Sequence, residues 1–427
     1  MKNPLAINGG KALRHAAWPR WPRKNPSTDT LLNEVFENGR WTNSGPWAGA
    51  PLLERRFADA FAKYCGTGFC VPTDHGSSAL VVALEALDVG FGDEVIVPAI
   101  TWVANATTVA NINAVPVIVD VDPDSLCLAP DATRQAITER TRAIVPVHLY
   151  CGVANLDDLA AISRDSGVPL IEDCAHVHGA AWRGRPVGSY GIAGTFSMQQ
   201  SKVLTCGEGG AVVTSNPMLA RRMEQLRADA RVYTGKKLTL HDMELVQVDE
   251  IQGTNYCLSE FHAAILLAQL ERLEEDHERR ARNASHLDSL LAGMKGVAPL
   301  RCLEGVTRRV FYCYVMRCKS EYFAGHSVEA ICRALSAELG IPFFPTYTPL
   351  TRVPSYKPES KRRFHISKDH LQALTTPRFK TPNAEYIHRE CICFPHWALL
   401  SNEKDMEDIA MAIEKVQRQA ASIPSEA

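Results

Sequence analysis

The chain has 427 residues, of which 46% are hydrophobic and 22% are charged, and its formal net charge is −2. This composition is typical of a soluble globular protein, and the charge balance excludes the strongly basic surface that nucleic-acid binding requires. The length predicts two or three domains rather than one compact core.

The N-terminal residues, the most apolar region and the cysteines predict a cytoplasmic protein. The first residues lack the apolar core of a signal peptide. The most apolar region, 95–119, is interrupted by prolines and asparagines and is too polar to span a bilayer. The 13 cysteines form no CxxC pair and no zinc-ligand set, so we expect reduced thiols and no bound metal.

The first 50 residues are predicted to form an irregular N-terminal arm. They are rich in proline and glycine and contain four tryptophans: Trp18, Trp21, Trp41 and Trp47. Because so much aromatic surface is costly to leave in water, the arm is expected to pack on a second subunit, to line a cleft, or to pack on its own domain.

Residues 51–270 are predicted to form a large α/β domain with a mostly parallel sheet. Helical patterns cover 51–64, 77–87, 104–113, 130–139, 156–166 and 217–228. Strand patterns begin near residue 71 and cover 94–97, 116–120, 143–147, 169–172, 195–198 and 211–214. The strands are short and nearly all apolar, as in a parallel sheet that is buried on both faces. Such sheets bind ligands at the carboxyl ends of their strands.

Residues 271–427 are predicted to form a smaller α+β domain. A long helical pattern over 259–291 leads into it, after a polar segment, 232–254, that is expected to be a mobile loop near the site. The domain is predicted to contain strands over 310–318 and 391–394, helices over 328–339 and 403–419, and a proline-rich turn over 341–349.

Lys202 lies in a polar turn between two predicted strands and is followed by a glycine cluster at 207–210. A lysine in such a place can form an imine with a carbonyl group, although most lysines are solvated surface charges.

Three other features occur at predicted strand ends. The turn that carries Ser77 and Ser78 opens a helix, and it predicts either an anion-binding site or an ordinary serine N-cap. Asp173 ends a buried strand, where it can pair with a protonated ring nitrogen or cap the next loop, and His176 follows it. Trp102 also follows a strand, where it can stack on a flat ligand or belong to the core.

These features together match the requirements of pyridoxal phosphate. The cofactor needs a lysine for its aldehyde, a carboxylate for its ring nitrogen, an aromatic side chain for its ring and free backbone amides for its phosphate. The spacings of a Walker A loop and of a dinucleotide-binding glycine motif are absent from the sequence.

Several stretches resemble the pyridoxal-phosphate-dependent sugar aminotransferases of the DegT/DnrJ/EryC1/StrS family. The stretches are GRWTNSGP at 39–46, GSSAL at 76–80, PVHLY at 146–150, EDCAH at 172–176, FSMQQSK at 196–202 and NYCLSEF at 255–261. The resemblance covers nearly the whole chain, and it implies an aspartate-aminotransferase-like fold of type I.

The resemblance also implies roles for the matched residues around the cofactor ring. Lys202 is expected to bind the cofactor covalently and to carry the proton during amino transfer. Asp173 is expected to pair with the pyridine nitrogen, and Trp102 to stack on the ring. His176, where the family often has glutamine, is expected to contact the phenolic oxygen.

A second group of matched residues is expected to hold the phosphate of the cofactor. Ser77, Ser78 and Ser197 are expected to bind the phosphate of their own subunit. Asn255 is expected to reach the phosphate bound in the partner subunit, which implies a homodimer with shared active sites.

Within the family, residues 196–210 look most like the branch that aminates cyclitol ketones in aminoglycoside antibiotic biosynthesis. The expected partners are L-glutamine and a cyclic ketone, either 2-deoxy-scyllo-inosose or scyllo-inosose. Tyr347 and His148 are the expected substrate contacts, and a structural role is equally open for both.

Two alternatives are left open by the sequence. A nucleotide-linked keto-sugar is one alternative substrate, and its diphosphate would need cations such as Arg227, Arg231, Lys236 and Lys237, which are otherwise read as a solvated face. The other alternative is a regulator that binds the cofactor without catalysis, although no DNA-binding module is evident. Some relatives carry histidine in place of the lysine and act as dehydratases, and Lys202 argues against that activity.

Overall fold

The computed structural model describes residues 3–248 and 250–424. The α-helices are Thr28–Asn38 (α1), Leu53–Tyr64 (α2), Gly76–Ala86 (α3), Ala104–Asn111 (α4), Pro130–Ala136 (α5), Leu156–Ser166 (α6), Pro217–Arg227 (α7), Glu260–Leu291 (α8), Val328–Leu339 (α9), Lys368–Ala373 (α10), Pro382–Glu390 (α11) and Glu403–Arg418 (α12).

The strands alternate with these helices in the first half of the chain and cluster again near its end. They are Phe69–Thr73 (β1), Glu94–Pro98 (β2), Val115–Val119 (β3), Thr141–Ile144 (β4), Ile171–Asp173 (β5), Ala181–Trp182 (β6), Arg185–Pro186 (β7), Ala193–Ser197 (β8), Gly210–Thr214 (β9), Arg231–Tyr233 (β10), Leu245–Gln247 (β11), Val297–Pro299 (β12), Val306–Arg308 (β13), Cys313–Cys318 (β14), Phe344–Pro345 (β15) and Cys391–Pro395 (β16).

The larger sheet has the strand order β1-β9-β8-β5-β4-β2-β3. Ladders define the groups β1-β9-β8-β5 and β3-β2-β4, and parallel bridges from Ile144 to Leu170 and from Val147 to Asp173 join β4 to β5. β9 runs antiparallel to β1 and β8, whereas the other neighbouring pairs are parallel. The α/β prediction is therefore confirmed.

The strands of this sheet are apolar because helices cover them. Every residue of β2 and of β9 is buried, as expected for strands that lie between two helical layers. β12, β14, β16 and β15 form a separate antiparallel sheet in that order, and α9 packs on it and on α12. The 32-residue helix α8 contacts α1, α2 and α12 and so connects the two sheets.

Several element predictions agree with the structure and others are wrong. The helices predicted over 156–166 and 328–339 have those bounds. The arm is not irregular, because α1 forms within it, with Leu31 and Val35 buried one turn apart. The segment 232–254 contains most of the β10–β11 hairpin instead of a loop without structure.

Within the described parts of the chain, no helix is both long enough and apolar enough to cross a membrane.

Candidate active site

A cavity of about 390 Å³ opens at the carboxyl ends of β2, β4, β5 and β8. Asp173 is the last residue of β5 and Ser197 the last residue of β8, so the crossover connections bring both to one edge of the sheet. The lining residues are His75, Gly76, Ser77, Leu80, Thr101, Trp102, Ala104, Asn105, Val147, Asp173, Ala175, His176, Thr195, Phe196, Ser197, Gln199, Ser201, Lys202, Glu208, Tyr312 and Tyr347.

Most of the residues that the sequence predicts for the site meet in this cavity. Those residues are Ser77, Trp102, Asp173, His176, Ser197, Lys202 and Tyr347.

Lys202 is buried, with 9% of its surface exposed. Its backbone N–H donates to the carbonyl of Gln199 at 2.8 Å, which closes the turn that carries it. Burial lowers the pKa of the Lys202 amine to about 8, although the charge of Asp173 acts in the opposite direction. The amine therefore loses its proton at a pH well below the pKa of an exposed lysine. In its neutral form it can act as a nucleophile or a base.

The carboxylate of Asp173 is held at both of its oxygens. Oδ1 accepts a hydrogen bond of 3.0 Å from the backbone N–H of Ala175, and Oδ2 accepts one of 2.9 Å from the side-chain amide of Asn105. Asn105 is buried on α4, and its amide nitrogen also lies 3.1 Å from the hydroxyl of Thr101. These contacts fix the direction of a buried carboxylate that faces the cavity.

The ring of His176 has a defined tautomer. Its Nδ1 accepts a hydrogen bond of 3.0 Å from the backbone N–H of Tyr150, so the neutral ring carries its hydrogen on Nε2. Burial, and then the charge of Lys202, holds the pKa of His176 well below its usual value. His176 is therefore a neutral donor from Nε2.

Aromatic side chains form part of the cavity lining and contact one another there. The Tyr312 ring stacks on His176 at 4.0 Å between centroids, and the Lys202 Nζ lies 4.3 Å from the centroid of the same ring. The hydroxyl of Tyr312 lies 3.0 Å from that of Ser201. Trp102, with 58% of its surface exposed, lies 5.7 Å from the ring of Tyr347. Flat aromatic surface is thus available on one side of the buried lysine.

One end of the cavity is built from the start of α3 and the end of β8. Over the described residues, the N-cap residue His75 has no side-chain cap, so the first N–H groups of α3 are free for an anion. A Cβ added to Gly76 would lie 2.6 Å from the Cβ of Ser197, so glycine is required for this close approach. Ser77, in the first turn of α3, and Ser197, the last residue of β8, both line the cavity.

Ser78 and Asn255 do not line the cavity of their own chain. Ser78 is buried in the first turn of α3. Asn255 is exposed, and its side-chain oxygen accepts a hydrogen bond of 3.2 Å from the backbone N–H of Cys257.

His148 is also absent from the cavity lining, although the sequence predicted that it contacts the substrate. Its Nδ1 accepts a hydrogen bond of 3.1 Å from the backbone N–H of Ala154, and its Nε2 lies 3.3 Å from Glu172. Both side chains are fully buried. His148 therefore joins a loop to a strand and does not face a substrate.

The side chains of His148, Glu172 and Cys174 lie close enough together to be considered as metal ligands. Glu172 accepts hydrogen bonds from the backbone N–H groups of Gly188, Tyr190 and Gly191 at 2.6 to 2.8 Å. Its carboxylate is thus already committed to the backbone, so we assign this group a structural role.

The cations proposed for a diphosphate do not face the cavity. Arg227 is fully buried, and its guanidinium pairs with Glu54 at 2.9 Å. Both roles that the sequence suggested for it, a diphosphate ligand and a solvated surface charge, are therefore wrong. Arg231 donates to the carbonyl of Ala228, and Lys236 and Lys237 are exposed.

Asn105 and Tyr312 are two of the lining residues that sequence reasoning missed, and each contacts a predicted site residue. Asn105 carries a weak signal, because it is a polar residue in an alanine-rich helical stretch directly after a strand end. Tyr312 carries none, because it reaches the site from a part of the chain more than 100 positions after Lys202.

Comparisons with known proteins agree with this site. The sequence profile of the DegT/DnrJ/EryC1/StrS aminotransferase family matches residues 23–414. The chain is 50% identical over 424 residues to the L-glutamine:2-deoxy-scyllo-inosose aminotransferase of Streptomyces lividus, which covers 99% of this chain and 100% of that protein. It is 49% identical over 416 residues to the L-glutamine:scyllo-inosose aminotransferase of Streptomyces griseus, with coverages of 97% and 98%.

A solved structure is similar over the same length. The crystal structure of 3-amino-5-hydroxybenzoic acid synthase superposes with a TM-score of 0.80 at 31% identity, and the match covers 96% of this chain and 100% of that chain.

Proposed function

Because the chain belongs to the DegT/DnrJ/EryC1/StrS aminotransferase family, we propose that it transfers the amino group of L-glutamine to a cyclitol ketone, 2-deoxy-scyllo-inosose or scyllo-inosose. The observation that carries this proposal is the 50% identity over 424 residues to a protein with that donor and that ketone in its name. The proposed setting is aminoglycoside antibiotic biosynthesis.

As a member of the family, the protein is an aminotransferase that depends on pyridoxal phosphate. The donor set fits this cofactor: a buried amine for the aldehyde, a carboxylate for the ring nitrogen, exposed indole surface for the ring and free helix N–H groups for the phosphate. The side-chain oxygen of Asn105 is buried and has no hydrogen-bond partner among the described residues, which leaves an acceptor for a ligand. The cavity volume of about 390 Å³ suits a small molecule.

We assign the cofactor contacts to this chain as follows. Lys202 would hold the aldehyde carbon, Asp173 the ring nitrogen, and His176 the phenolic oxygen through its Nε2 hydrogen. Trp102 would stack on the ring. Ser77 and Ser197, supported by Ser78 inside the helix, would hold the phosphate.

Pyridoxal phosphate, when bound, withdraws electrons from the carbon that carries the transferred nitrogen. The amine of Lys202, when it is not bound to the cofactor, would take the proton from the α-carbon of L-glutamine and would later deliver a proton to the ketone-derived carbon. The fixed carboxylate of Asp173 stabilises positive charge at the ring nitrogen.

A nucleotide-linked keto-sugar is the alternative substrate, and the charges of the cavity favour it less. Lys202 and His75 are the lining side chains that carry or can gain a positive charge, apart from His176, whose pKa is lowered by burial. No arginine of the described residues lines the cavity. A diphosphate normally requires such cations, whereas a neutral polyhydroxy ring does not.

We further propose a cytoplasmic homodimer with the predicted division into an arm (1–50), a large domain (51–270) and a small domain (271–427). The fold would be of type I, like that of aspartate aminotransferase, which the superposition with the synthase supports. Asn255 would reach the cofactor phosphate of the partner subunit, which is compatible with its exposure and with its absence from the cavity lining of its own chain.

The proposal is tested by single turnovers of the enzyme loaded with the aminated cofactor. The loaded enzyme is mixed with each inosose and with a nucleotide-linked keto-sugar, and the return of the cofactor aldehyde absorbance is followed. We expect rapid turnover with an inosose and none with the nucleotide sugar. The reverse result would assign the alternative substrate, and turnover with neither would refute both.

A further inference from the structure

We propose that Trp21 and His396 are positioning residues that hold the Lys202 turn, residues 199–207, so that the lysine amine stays inside the cavity. Both contact the turn from outside, and neither lines the cavity. The proposal rests on the role assigned to Lys202, but it does not depend on the identity of the ketone.

The two contacts end on consecutive peptide groups directly before the lysine. The indole Nε1 of Trp21 donates a hydrogen bond of 2.9 Å to the carbonyl of Gln200. The Nε2 of His396 lies 3.1 Å from the carbonyl of Ser201, and because a carbonyl only accepts, the ring nitrogen is the donor. The rings of Trp21 and His396 also meet edge to face, with 4.6 Å between centroids.

Each of the two residues is itself anchored to a rigid element. His396 is buried and directly follows β16, and its backbone N–H donates to the carbonyl of Tyr312 at 3.2 Å. The arm that carries Trp21 is tied to α8, because Gln269 donates to the carbonyl of Arg23 at 2.6 Å. The buried guanidinium of Arg280 lies 5.4 Å from the centroid of the Trp21 ring.

The turn needs an outside support for a physical reason. Burial of a lysine amine is unfavourable, so a free turn would relax toward water and carry the amine with it. The residues that follow Lys202 in the turn, 203–206, are buried, whereas Gln200 and Ser201 before it are exposed, so the part of the turn before the lysine is not held by buried side chains of its own. Two hydrogen bonds from separate parts of the chain therefore offset the cost of holding Lys202 inside.

The chain offers matched variants for a test. Trp21→Phe removes the indole donor from the turn, whereas Trp18→Phe makes the same change in the same arm at an indole that donates to the carbonyl of Leu339 instead. His396→Phe removes the second donor, and His396→Gln keeps an N–H near the original Nε2 position. All four variants are compared with the wild-type holoenzyme.

The first measurement is exchange of the α-hydrogen of L-glutamine with solvent deuterium, followed by proton NMR, which needs no ketone. We expect Trp21→Phe and His396→Phe to slow exchange at saturating L-glutamine by about tenfold or more, with KM changed by less than about twofold, because a misplaced base costs rate more than binding. Trp18→Phe is expected to match the wild type, and His396→Gln to recover most of the lost rate.

The second measurement is amide hydrogen–deuterium exchange in peptides that cover the Lys202 turn. We expect faster exchange there in Trp21→Phe and His396→Phe, and no change in Trp18→Phe. The proposal would be overturned if Trp21→Phe changed neither the α-hydrogen exchange of L-glutamine nor the amide exchange of the turn. It would also be overturned if Trp18→Phe had the same effects as Trp21→Phe. If the wild-type enzyme does not exchange L-glutamine, the assigned amino donor fails, and the amide exchange still decides whether the two residues hold the turn.

Discussion

Asn105 donates a hydrogen bond of 2.9 Å to Oδ2 of Asp173, so the helix after β2 fixes the carboxylate at the end of β5. The two residues are 68 positions apart. The contact orients Asp173 before the cofactor binds, since each oxygen of its carboxylate already accepts a hydrogen bond, one from Asn105 and one from the backbone N–H of Ala175.

Asn105→Ala should weaken the binding of pyridoxal phosphate about tenfold, because a hydrogen bond to a charged group contributes about 1.5–3 kcal/mol and part of it is lost to water. Fluorescence titration of the cofactor-free protein measures the change. Thr107→Ala, which removes a hydroxyl from the same helix, is the control and should bind as the wild type does. Equal affinities of the wild type and Asn105→Ala would show that the contact does not orient Asp173.

The reactivity of Lys202 should follow a pKa of about 8 in the cofactor-free protein. Because only the neutral amine is a nucleophile, reductive methylation by formaldehyde and cyanoborohydride should accelerate about tenfold per pH unit below that value and level off above it. Mass spectrometry of the Lys202 peptide measures the rate, and the exposed Lys319 serves as an internal reference.

Asp173→Asn should lower the pH at which the methylation rate of Lys202 is half of its maximum, since the charge of Asp173 raises the pKa of the amine. The same methylation series measures this shift. An upward shift of this pH in Asp173→Asn would contradict the electrostatics described for the cavity.

Tyr312→Leu should lower the rate at saturating substrate by about 2- to 30-fold, because the Lys202 amine becomes a cation when it takes up the substrate proton, and the interaction of a cation with an aromatic ring contributes about 0.5–2 kcal/mol. The substitution removes the ring that faces the Lys202 amine and stacks on His176. Tyr312→Phe keeps the ring and loses only the hydroxyl near Ser201, so its rate should fall less. Steady-state kinetics compare the two variants, and a larger loss in the phenylalanine variant would assign the effect to the hydroxyl.

His148→Ala should lower the free energy of unfolding by about 2–5 kcal/mol, because it leaves the buried backbone N–H of Ala154 without its partner, removes one of the contacts of Glu172 and opens a cavity in the core. Denaturant unfolding measures this loss. The KM for the ketone should not change in the folded variant, since His148 is outside the cavity. A raised KM with unchanged stability would restore the substrate contact that the sequence predicted.

Local patterns in the sequence identified most of the helices and the buried strands. The helix over 156–166 has an apolar face, an asparagine cap and a following glycine, all within one short stretch, and its bounds were predicted correctly. The arm helix Thr28–Asn38 was missed although four apolar residues (Leu31, Leu32, Val35 and Phe36) recur in it at helical spacing, because prolines and tryptophans flank this short pattern on both sides. Its stability comes from packing on α8, which no local pattern records.

The sequence by itself determined the chemistry of the site: a lysine in a turn, an aspartate at a strand end and a serine-rich helix start, in an order that fits one cofactor. Only the tertiary structure decided which other side chains meet them. It brought Asn105 and Tyr312 to the cavity and turned His148 toward Glu172. The physical reason is that residue type and periodicity encode each element, whereas strand order and helix packing decide which side chains from distant elements point into the same space.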